Sequence, residues 1–160
     1  TAPVQNTTNT VKTTETKVKK PNISQAEIEY GQKMLALIKQ SLQGATDLTT
    51  YCTTSKAEQK QFTDETFDKM GLAMALTIDS YNKALKITSP NSILDIVHEQ
   101  TLDGLKDNMN ASDTCLKISK TADEIERIEK VRLFYRYISE GQKKLLDSTA
   151  ALDIYAVVKY

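Results

Sequence analysis

Residues 24–52 read SQAEIEYGQKMLALIKQSLQGATDLTTYC. Ser24 is a favoured helix N-cap, and Glu27 three residues later completes a capping box. Ile23 before the cap and Ile28 after it supply a hydrophobic staple. Ile28, Gly31, Leu35, Ile38, Leu42, Ala45, Thr49 and Cys52 then recur at spacings of three and four. Such a series is one buried stripe of a helix that packs along its length against others. It predicts a helix over about residues 25–54, ending at a cysteine.

The same signals recur downstream. Ser55 and Glu58 suit a short linking turn, and Thr63, flanked by Phe62 and Phe67, opens a second long helix. Phe67, Met70, Met74, Ile78, Tyr81 and Leu85 form its expected inner face. Pro90 in TSPNS, residues 88–92, disfavours helix at Ser89 and ends it. Ser92 with Asp95 starts a third helix, whose face is Leu94, Val97, Thr101, Leu105 and Met109, interrupted by Gly104. NMNASD, residues 108–113, reads as a break. Thr121 with Glu124 starts a fourth helix from about Ala122, through Ile125, Ile128, Val131, Tyr135, Ile138, Leu145, Leu152 and Tyr155. Asp123–Arg127, Glu126–Lys130 and Arg136–Glu140 are spaced for ion pairs on its solvated side.

No stretch of the body alternates as a strand does. The expected fold is all-α, an elongated up-down-up-down four-helix bundle over residues 23–160, preceded by an extended N-terminal tail. The tail, residues 1–22, holds seven threonines, and its only large apolar residues are Val4, Val11 and Val18. That is too little surface to offset the entropy of ordering it. With four lysines and one glutamate it is basic, which suits a tether between an anchor and a folded domain.

The bundle topology brings the ends of the first and third helices to one end of the molecule. Cys52 and Cys115, the two cysteines of the chain, are therefore expected to form a disulfide. A disulfide implies an oxidising compartment: periplasm, cell surface or exterior. The chain begins at Thr1 rather than Met, and a secretion signal removed by processing is the matching expectation.

Chemistry is scarce. The one histidine, His98, shares a helical face with Asp95, whereas a di-metal bundle needs two such units and further carboxylates. His98 is about 25 Å along the helix from Cys115, too far for a nucleophile–base pair. The glycines at 31, 44, 71, 104 and 141 are isolated and form no phosphate loop. Gly31 and Gly71 fall on the expected seams, where a missing side chain permits close helix approach, the favoured reading, or leaves room for a partner's bulky residue. The sequons at Asn6, Asn22 and Asn110 matter only in a eukaryotic secretory pathway. Neither an enzyme activity nor a cofactor is expected. Lys plus Arg equals Asp plus Glu at 21 each, so no basic surplus points to nucleic acid. No apolar run reaches membrane-spanning length, so a membrane enters only through a tether or a removed anchor.

In LFYRYI, residues 133–138, Phe134, Tyr135 and Tyr137 cannot all face inward. With Tyr135 in the core, Phe134 and Tyr137 beside Arg132 and Arg136 make an expected interaction surface of hot-spot composition. The apolar end, LDIYAVVKY, is expected to pack on the bundle, dock to another subunit or lead toward a membrane segment. The functional expectation is a non-enzymatic extracytoplasmic protein, tethered like a lipoprotein or secreted, that binds a protein or surface partner. A ligand-sensing receptor domain and a filament subunit are the alternatives.

Overall fold

A computed structural model of the chain describes residues 2–3, 22–52 and 55–156. Nearly all of the expected tail therefore lies outside the described residues, as do Asn6 and residues 157–160. Five helices follow in order: α1 (Gln25–Cys52), α2 (Lys56–Gln59), α3 (Asp64–Ala84), α4 (Ser92–Lys120) and α5 (Glu124–Ala156). The short α2 is the linking turn, closed by a Ser55–Glu58 capping box. The four long helices form the bundle. α1 packs against α3 and α5, α4 packs against the same two, and α1 and α4 also meet across the centre.

Local chemistry sets the helix starts. Ser24 and Glu27 bond reciprocally, Glu27 N to Ser24 Oγ at 3.2 Å and Ser24 N to Glu27 Oε2 at 2.7 Å. Thr63 accepts from Thr66 N, and the Phe62 and Phe67 rings meet edge-on at 5.7 Å. Two starts fall one or two residues from their expected place. Asn91, not Ser92, caps α4, accepting from Leu94 N at 2.9 Å. Its amide nitrogen also donates to Glu27 Oε1 at 2.8 Å, which ties the starts of α1 and α4 together. Asp123, not Thr121, caps α5, accepting from Glu126 N at 2.8 Å. Thr121 instead ends α4, its hydroxyl donating to the Lys117 carbonyl.

The expected break at residues 108–113 does not occur, and α4 runs through it unbroken. Asn108, Ala111 and Ser112 all face the interior, where Asn108 and Ser112 each bond a side chain on another helix and Ser112 also reaches the Asn108 carbonyl of its own helix. Asn108 Nδ2 donates to Ser41 Oγ at 2.9 Å, and the Thr77 and Ser112 hydroxyls bond each other. This polar belt separates two apolar clusters. Tyr30, Met34, Ile38, Leu94, Leu145 and Leu152 fill one; Leu48, Cys52, Met70, Cys115, Ile118 and Phe134 fill the other.

Each helix turns its inward stripe on a seven-residue repeat. On α1 the expected series Gly31, Ile38, Ala45 and Cys52 is buried. Its companions are Met34, Ser41 and Leu48, while Leu35, Leu42 and Thr49 sit half-buried on a flank. On α3 the correction is larger. Met70, Ala73, Thr77, Ser80 and Ala84 face inward, and Phe67, Ile78 and Leu85 are exposed. The reason is close packing. A Cβ placed on Gly44 of α1 would stand 2.6 Å from the Ala73 carbonyl oxygen, so only small residues fit between these helices. Gly31 likewise abuts Tyr155, whereas Gly71 has nothing within 4 Å and serves no close approach between helices of the chain.

Cys52 and Cys115 form a disulfide between the two diagonal helices, with Cα atoms 5.3 Å apart and a sequence separation of 63. At the other end, Leu152 and Tyr155 pack against α1, so this part of the apolar C-terminus belongs to the core. Among the described residues no helix is long and apolar enough to cross a membrane.

Candidate interaction surface

The inward series of α5 runs Arg127, Phe134, Gly141, Ser148 and Tyr155, with Leu145 and Leu152 between. Arg127 is buried, and its guanidinium donates to the Ile118 carbonyl near the end of α4 at 3.4 Å. This series decides which aromatics of LFYRYI reach solvent. Phe134 is fully buried beside Cys115 and Ile118, which removes it from the expected interaction surface. Tyr135 is one position further round and 48% exposed, so the expected core residue is the outward one. Tyr137 is half-buried and lines a cleft of about 350 Å³ between α4 and α5 with Lys117, Glu129 and Lys130. Arg132 and Arg136 are exposed as expected. Glu126 and Lys130 form their expected ion pair.

One step round from the inward series lie Ile125, Ile128, Arg132 and Tyr135, at spacings of three, four and three. Ile125 is 72% exposed and Ile128 is 47% exposed. The four share one side of α5 at the disulfide end. The same spacing continues through Ser139 and Gln142 to Leu146 and Thr149. Those two, with Leu35, Leu42 and Thr46 of α1, line an apolar groove of about 500 Å³. The stripe was hidden in the sequence because its isoleucines and tyrosine fit a core pattern equally well. Counting sevens from Phe134 would have exposed it, since Arg127, Gly141 and Ser148 fall on that count.

The lone histidine has a structural partner. The Tyr30 hydroxyl lies 2.8 Å from His98 Nδ1. Burial holds the His98 pKa below its usual value, against the opposing pull of Asp95 and Glu99. Burial and the Asp95 charge push Tyr30 up to about 12. Both groups are therefore neutral near pH 7 and share one hydrogen bond between the phenol oxygen and Nδ1. Among the described residues no group of three or more His, Cys, Asp or Glu is placed to hold a metal.

The pH dependence follows. His98 titrates lower when folded, so the unfolded chain binds more protons between that value and about 6.5, and stability falls as pH drops through this window. Tyr30 titrates higher when folded, so its contribution is complete below pH 10 and lost as pH rises towards about 12. Because the chain has one histidine, its imidazole C–H proton resonance is unambiguous. A proton NMR titration of the folded protein is expected to give a midpoint below 6.5; a midpoint above it would contradict the burial of His98.

No protein-family model matches the chain, and no curated protein or solved structure matches it either.

Proposed function

We propose that this chain is a non-enzymatic, extracytoplasmic binding module that presents the outer side of α5 to a protein partner. The stripe of Ile125, Ile128, Arg132 and Tyr135 carries the reading. Two isoleucines and a tyrosine held in water on one helical face cost solvation that a partner would recover. Arginine and tyrosine dominate binding hot spots because each couples a large contact area to a polar end. Arg132 and Arg136 select the chemistry of the partner: a segment with apolar side chains flanked by carboxylates, lying along α5. The disulfide supports an oxidising compartment, since thiols in the cytosol are kept reduced. A tether from the basic Thr-rich leader, or secretion, would deliver the module there.

The test is a peptide-display selection against the intact, oxidised chain. Enriched peptides are expected to pair apolar residues with Asp or Glu. They are expected to lose about 30-fold in affinity for a Tyr135→Ala/Arg132→Glu variant whose helicity is unchanged. Peptides that bind this variant as well as the parent would overturn the assignment to α5. The compartment is tested separately, by alkylating the protein in its native source before lysis and weighing it intact. Two added alkyl groups would mean free thiols and no oxidising compartment.

A further inference from the structure

On α3 the residues expected to build the core form a second stripe that faces out. Phe67, Gly71, Met74, Ile78, Tyr81 and Leu85 are spaced four, three, four, three and four. Phe67, Gly71, Ile78 and Leu85 are exposed, and Met74 and Tyr81 are half-buried. The stripe runs about 27 Å along the helix. Met74 and Ile78 also line, with Met109 and Leu116 of α4, an apolar groove of about 350 Å³.

The spacing reads the same in both directions. Laid against a second, antiparallel α3 with the two-fold axis near residue 76, Phe67 meets Leu85, Gly71 meets Tyr81 and Met74 meets Ile78. Large residues oppose each other at two levels, and at the third the glycine with open space above it opposes the tyrosine. Self-complementarity of this kind is what a two-fold interface requires. The charges follow the same symmetry. Near its start α3 carries Asp64 and Asp68, and Lys86 follows its end; Glu65–Lys69 and Asp79–Lys83 are already paired within the helix. In the antiparallel arrangement Asp64 and Asp68 straddle the level of Lys86 on the second copy.

We infer that the chain forms a two-fold homodimer through antiparallel packing of α3 on α3. The interface is separate from the α5 stripe. Gly71 is kept in the middle of a helix, where it weakens the helix relative to Ala, because the tyrosine of the second copy occupies the space above it.

The experiment is light scattering with analytical ultracentrifugation on the intact, oxidised chain, from about 1 μM to about 1 mM. The expected result is a concentration-dependent dimer. Gly71→Lys is expected to give a monomer of undiminished helicity, since the site is open and lysine favours helix over glycine. Asp68→Lys and Lys86→Glu are each expected to weaken the dimer about threefold, and their combination to restore it. Met74 and Ile78 oppose each other across the two-fold axis, so the Met74→Cys/Ile78→Cys variant should cross-link to a dimer on oxidation, while Leu72→Cys, well off the stripe, should not. A monomer throughout the range would overturn the inference. So would a dimer that survives Gly71→Lys, or one abolished by Tyr135→Ala on α5.

Discussion

Replacing Cys52 and Cys115 together by alanine lowers the unfolding free energy by about 4 kcal/mol. The disulfide links residues 63 apart, and closing a loop of that length removes much of the freedom of the unfolded chain. At about 2–4 °C per kcal/mol for a chain of this size, the melting temperature falls by roughly 8–16 °C. Scanning calorimetry and urea titration of the oxidised protein and the double variant measure this directly. The loss has a second source. Both cysteines are buried in the cluster with Ile118 and Phe134, and they join helices that are diagonal across the bundle. Without the bond, α1 and α4 meet at that end only through side-chain packing. A drop below about 1 kcal/mol would mean that the unfolded chain is already confined there without the bond.

Gly44→Leu is the second large effect, at about 3 kcal/mol of lost stability. The first carbon of any side chain at this position would stand 2.6 Å from a backbone oxygen of α3, 2.9 Å from Leu76 Cβ and 3.0 Å from Thr77 Cγ2. A backbone oxygen within a helix cannot turn aside, so α1 and α3 must separate along their contact. Gly71→Leu makes the same chemical change on the partner helix, in open space. There the gain in helix propensity acts alone, and stability is expected to rise by up to about 1 kcal/mol. Urea unfolding of both variants at low micromolar concentration compares them. Opposite signs are the expected pattern, and a loss at both positions would refute the close approach of α1 and α3 as the cause.

These two glycines also show where the sequence was legible. Helix class, the four long helices and the capping residues Ser24, Ser55 and Thr63 follow from local chemistry, and the structure places them as read. The disulfide follows from topology. The inward face of α3 does not, because hydrophobic periodicity detects large apolar residues and this face is built from Ala73, Thr77, Ser80 and Ala84. Helices that approach closely select small side chains, so the largest apolar stripe is pushed outward and reads as core. The same mechanism misplaced Tyr135 and Phe134. On α5 the inward count passes through Arg127, Gly141 and Ser148, none of which announces a core position. Residues 108–113 failed for a different reason. Their polarity signals a loop locally, but a bonding partner 67 residues away holds Asn108 inside the helix.

That partner has a consequence for how the helices are set along their axes. Stripes that repeat every seven residues can slide past one another by a heptad, about 10 Å, and still bury an apolar face. Sliding α1 by one heptad would carry Met34 or Leu48 to Asn108 in place of Ser41 and strand the amide nitrogen in an apolar shell. Thr77 and Ser112 favour one setting of α3 on α4 more weakly, since each hydroxyl can also donate to a carbonyl of its own helix. The belt therefore acts as a vernier. It allows a bundle of small, interchangeable residues one axial setting, and only that setting brings the sulfurs of Cys52 and Cys115 within bonding reach as the chain first folds.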